Sequence, residues 1–153
     1  MLLALLLQAA ACPAPPAALP PELAGWSPQT AVTATADGDA ALPVGHGVTA
    51  TLRPASEVTL AAPVAKPPAP RTASGVFAFT APSAGRYRVA LGGPAWVDVV
   101  RDGKAATSVA HGHGPACSVV RKMVDYDLRP GAYRLQVVGS ATPALSLMVT
   151  KLP

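Results

Sequence analysis

From residue 75 onward the chain alternates apolar and polar side chains with a period of two, in short segments separated by Gly or Pro. Gly75–Thr80 puts Phe77 and Phe79 on one face, and Arg86–Leu91 sets Tyr87, Val89 and Leu91 against Arg86 and Arg88. Ala95–Arg101 is followed by Asp102-Gly103, a two-residue hairpin signal, after which Lys104–Ala110 is expected to return alongside it. Lys122–Leu128 sets Val124, Tyr126 and Leu128 against Met123, Asp125 and Asp127. Ala132–Val138 sets Tyr133, Leu135 and Val137 against Arg134 and Gln136, and Leu145, Leu147 and Val149 repeat the period. Such segments are half-buried antiparallel strands, and two sheets of this kind must cover each other's apolar faces. The expected fold is all-β, an antiparallel β-sandwich or jelly roll of about 8 strands.

The first half is less regular. Twelve of the 18 prolines lie between Pro13 and Pro70. Ala31–Ala36, Gly47–Arg53 and Val58–Ala62 read as short strands, and Ala62–Arg71 as a proline-rich loop or linker. The division expected is a leader over 1–11, a Pro-rich segment over 12–30 and a sandwich over 31–153. No segment has a helical period, and "AGRYRVAL" and "PGAYRLQV" echo each other, each with a turn Gly before a strand whose Tyr faces inward.

The leader carries the address. Leu2–Leu7 is an apolar run too short to span a bilayer, followed by Ala9-Ala10-Ala11-Cys12. It reads as a signal peptide, although no Lys or Arg precedes it. Export to the periplasm or the outer membrane of a Gram-negative bacterium is the expectation. Cys12 and Cys117 are the only cysteines, and an even count in an oxidising compartment suggests a disulfide. The alternative is a degenerate lipobox, with Cys12 lipid-anchored to the membrane and Cys117 free.

Charge argues against some partners. The net charge is +4, but the 12 basic residues are scattered and no basic run occurs, so nucleic acid is not an expected partner. A small ligand, a glycan or an envelope protein remains.

Chemistry concentrates in one stretch. His111, His113 and Cys117 lie within seven residues, and His46 sits in a second glycine-flanked turn. If His-x-His ends a strand, both imidazoles face one side and can share Zn or Cu, with a thiolate adding affinity. The plainer reading is an exposed Gly-rich loop beside a structural disulfide. Arg121-Lys122 is a small basic step nearby, able to attract an anion. Trp26 and Trp96 are candidate platforms for stacking a ligand such as a sugar, or core fillers. Asp98 is either an outward polar residue or a partner for Arg88, and Asp125 with Asp127 is expected to face outward. Ser108, Ser118 and Asp125 lie near His111 without a nucleophile-elbow motif, so no catalytic residue is assigned.

The segments Phe77–Leu91, Val97–Lys104 and Asp125–Gly139 resemble bacterial pre-peptidase C-terminal domains over about half the chain. That resemblance implies a small extracytoplasmic β-sandwich and no catalytic residue. The chain also resembles short Ala-rich and Pro-rich exported proteins of sphingomonad type, some of which carry the label homogentisate dioxygenase. That second resemblance implies iron on two His and one carboxylate, as in a large cupin whose HxH is followed closely by Glu. Here His111-Gly112-His113 is followed by Gly114-Pro115-Ala116-Cys117, and the nearest later carboxylate is Asp125. The favoured expectation is therefore a non-enzymatic binding or accessory module.

Overall fold

A computed structural model describes residues 11–153, so the apolar leader lies outside the described residues. Eleven strands form two sheets. They are β1 (Thr30–Thr33), β2 (Val48–Thr51), β3 (Arg53–Pro54), β4 (Ala73–Ala81), β5 (Gly85–Leu91), β6 (Trp96–Arg101), β7 (Lys104–Ala105), β8 (Ala110–His113), β9 (Lys122–Leu128), β10 (Gly131–Ser140) and β11 (Ala144–Lys151). One sheet runs β1-β2-β11-β5-β9-β8 and the other β3-β4-β10-β6-β7. Every ladder is antiparallel except β1 with β2. The protein is an all-β sandwich, as the period-two pattern requires.

The alternating residues meet between the sheets. Phe77, Tyr87, Val89, Leu91, Leu135, Val137, Leu147 and Val149 are all essentially inaccessible and form one core. The echoed "GRY" and "GAY" segments prove to be the same corner built twice. The Tyr87 hydroxyl donates to the Ser83 carbonyl at 2.7 Å, and the Tyr133 hydroxyl to the Arg129 carbonyl at 2.9 Å, each four residues back. Each phenol thereby ties the incoming turn to its strand while its ring fills the core. Asp102 and Gly103 both take positive φ (52° and 73°), the backbone of a tight hairpin turn between β6 and β7.

Three expectations about the strands need correction. Val58–Ala62 is not a strand: a 3₁₀ turn at Ala55–Glu57 precedes it, and Ala62 takes its hydrogen bonds from the Gln136 side-chain amide instead of a neighbouring strand. Lys104–Ala110 does not return as one strand. β7 pairs with β6, and the chain then crosses to the other sheet, where β8 pairs with β9. This stretch holds one large apolar residue, Val109, which is exposed, so no inward face keeps it on β6. The strand total also exceeds about 8, because the short pieces β3, β7 and β8 are strands in their own right.

Both outer faces are covered in part. A 3₁₀ helix at Pro21–Trp26 lays Leu23 and Trp26 on the first sheet against Ala90, Val120 and Met148. The Cys12–Cys117 disulfide and a hydrogen bond from the Ala17 amide to the Cys117 carbonyl (2.8 Å) fasten the segment leading into that helix. Beneath the helix, Arg88 makes a bidentate pair with Asp125 (2.8 and 2.9 Å) and reaches Glu22 at 3.1 Å. Asp125 is thus 5% exposed rather than solvent-facing, and only Asp127, paired with Arg86, faces out as expected. On the second sheet the Pro-rich loop covers Gln136, which is fully buried.

Candidate functional site

The two sheets part at one edge. β8 borders the first sheet, while β7 is so short that the Trp96 end of β6 has no further strand beside it. A cleft of about 440 Å³ opens there between the sheets, within the usual range for small-molecule sites. Its walls are Trp96 and Val97 from β6, Ser108 before β8, His111 and His113 on β8, and Lys122, Val124 and Tyr126 on β9.

Strand geometry explains the gathering. His111 pairs with Val124 and His113 with Lys122. Residues two apart on a strand share a face, so both imidazoles fall on the side of core-facing Val124, toward the cleft. The same alternation places Lys122 in the cleft and its neighbour Arg121 in the hollow beside the disulfide.

Side chains from the first sheet cap the open edge of the second. The Tyr126 hydroxyl donates to the Val97 carbonyl at 3.1 Å, and the Lys122 ammonium to the Ala95 carbonyl at 2.7 Å. Burial pushes the Tyr126 phenol well up, with the Asp98 charge adding to it, so Tyr126 stays a neutral donor. Burial pulls the Lys122 ammonium down, and Asp98 opposes that shift. Lys122 also lies 5.5 Å from the centre of the Trp96 ring.

Trp96 is the exposed member. It is 57% accessible, the largest apolar side chain so displayed among the described residues. Its indole N–H donates to Asp98 at 2.9 Å, and the same Asp98 oxygen accepts from Gln136 at 2.9 Å. Gln136 in turn holds both the amide and the carbonyl of Ala62. The ring is oriented by a polar chain running to the Pro-rich loop. A second hollow, of about 260 Å³ between that loop and Val138, shares Trp96 as its wall. The indole therefore divides two concavities.

The other sequence candidates lie elsewhere. Trp26 is 6% exposed and offers no face to a ligand; it is a core filler. His46 sits in the turn before β2, four strand spacings from β8, or about 19 Å along the sheet. Cys117 is oxidised, so no thiolate joins the histidines. Asp98 does not pair with Arg88, because they belong to opposite sheets and Arg88 is taken by Asp125 and Glu22.

No group of three or more His, Cys, Asp or Glu side chains able to hold a metal occurs among the described residues. The two-His-one-carboxylate set of an iron dioxygenase is not assembled. Asp125, the nearest later carboxylate, occupies the opposite face of β9 from the cleft and is bound to Arg88. Iron chemistry does not fit these residues.

In the sequence Lys122 stands out only as half of a basic step able to attract an anion, and Tyr126 only as an inward-facing strand residue. The available signal was an inward-facing Lys: extending the face of Val124 and Tyr126 back by two reaches Lys122. A larger cavity of about 640 Å³ lies at Leu42, Phe79, Arg101 and Tyr133. Its cations are spent internally, Arg134 on Asp39 and the Gly38 carbonyl, and Arg101 on Tyr133 and the Pro130 carbonyl. The protein is thus a β-sandwich with a lateral aromatic cleft. No family model matches the chain, and no curated protein matches it in sequence.

Proposed function

We propose that this protein is an exported, non-enzymatic binding module whose cleft at Trp96 holds a sugar ring. The exposed, hydrogen-bonded indole carries the reading. A Trp fixed by Asp98 with more than half its surface in water is stacking area held ready, at little cost in conformational entropy. The resemblance to pre-peptidase C-terminal domains supports an extracytoplasmic accessory role. The disulfide suits an oxidising compartment, and no helix among the described residues is long and apolar enough to cross a membrane. The disulfide also uses the sulfur that a lipid anchor on Cys12 would need. Mass spectrometry of the mature protein tests this: a diacylglycerol mass on Cys12 would contradict the bridge.

The functional test is a glycan array probed with wild type and Trp96→Ala. Binding of at least one glycan class by wild type alone is expected. Equal signals from the two proteins would refute the Trp96 platform.

A second reading is metal binding, favoured by one observation: His111 and His113 share a face of β8 in the same cleft. Zn or Cu would then raise the melting temperature of wild type but not of His111→Ala/His113→Ala. Lys122, directly across from His113, works against a cation there.

A further inference from the structure

The cleft has an unbalanced charge. Lys122 is half-buried and forms no ion pair among the described residues. Of its three N–H donors, one is given to the Ala95 carbonyl, which leaves two for a ligand. His111 and His113 add ring nitrogens, and no carboxylate lines the wall. The closest acid, Asp98, has one oxygen engaged by both Trp96 and Gln136. Elsewhere among the described residues the half-buried cations are paired: Arg88 with two carboxylates, Arg53 with Glu57 and Arg134 with Asp39. The Asp98 charge acts on the Lys122 ammonium without forming an ion pair with it, and a partly desolvated ammonium with no carboxylate in contact gains from an anionic ligand.

Resting on the sugar-platform reading, we infer that the ligand is an acidic saccharide, with a pyranose ring on Trp96 and its carboxylate on Lys122. The spacing suits such a molecule. The ammonium sits over the indole ring, 5.5 Å from its centre, so a ligand stacked beside it on the exposed part of the ring reaches Nζ with an exocyclic carboxylate. A neutral sugar would bring no carboxylate to the two donors the ammonium keeps. Single-stranded nucleic acid is also anionic and stacks on aromatics, but it needs successive platforms and a basic track along its backbone. Here one large aromatic side chain is exposed, and Arg121 falls on the other side of β9 from Lys122.

The test is calorimetric titration with short oligomers of galacturonate, glucuronate and mannuronate, and with their methyl esters. The esters keep the ring and remove the charge. Wild type should bind at least one acid about tenfold tighter than its ester, with the advantage shrinking at high salt. Lys122→Met should remove that advantage, and Lys122→Arg should retain most of it. Trp96→Ala should abolish binding of both forms. Melting curves establish that each variant is folded. Equal affinity of wild type for acid and ester would overturn the charge inference and leave the platform reading standing. Binding of neither form would defeat both. Tighter binding of oligothymidylate than of any uronate would replace the saccharide with nucleic acid.

Discussion

The outer face at Arg88 and the cleft at Trp96 use the same materials to opposite ends. Each has a tryptophan, a cation and a carboxylate. Beneath the 3₁₀ helix, Trp26 is buried and Arg88 is matched by Asp125 and Glu22. At the cleft, Trp96 stands in solvent and Lys122 keeps unused donors. The first region satisfies itself and therefore reads as structure. The second leaves stacking surface and positive charge over, and a ligand is what would use them. The difference follows from coverage. The disulfide and the N-terminal segment roof the first sheet, whereas short β7 leaves the edge of β6 open.

The comparison breaks first, and with the largest effect, at its roof. Cys12 and Cys117 are 105 positions apart, so replacing both by Ser should cost up to about 4–5 kcal/mol in the chain-entropy model. Denaturant titration measures this, with sugar binding retained under conditions where the variant is folded. Next is Arg88→Met, which strands the Asp125 carboxylate under the helix and should cost about 3–5 kcal/mol, again without loss of binding. The paired indoles then separate the two roles. Trp26→Ala should lose about 3–5 kcal/mol of stability. Trp96→Ala should lose under about 1 kcal/mol and all saccharide binding. Gln136→Leu falls between the two indole variants in stability: it keeps the volume of a buried side chain but cuts the link between Ala62 and Asp98. It should cost about 1–3 kcal/mol through the Ala62 groups it leaves unpaired, and weaken binding without abolishing it. A Trp96→Ala variant as unstable as Trp26→Ala would erase the distinction.

The sandwich was legible in the sequence because alternation is local: each of β4, β5, β9, β10 and β11 announces its own inward face. The sheet assignment of β8 was not. Lys104–Ala110 carries too little apolar surface to show which sheet it joins, and that depends on contacts with β9. The outward residues misled for a related reason. Asp125 and Gln136 alternate like surface groups, but the N-terminal helix and the Pro-rich loop cover them from far along the chain. Of the candidate site, the shared face of His111 and His113 was readable from their spacing. That Trp96, in the opposite sheet, completes the same cleft required the packing of the sheets.

The two tryptophans also supply the most direct test. In a ¹H–¹⁵N correlation spectrum the protein has two indole N–H signals, one from the roof and one from the cleft. Titration with the best-binding acidic oligosaccharide should move the Trp96 signal saturably and leave the Trp26 signal in place. Movement of the Trp26 signal alone, or of neither under conditions where calorimetry registers binding, would contradict a site at Trp96.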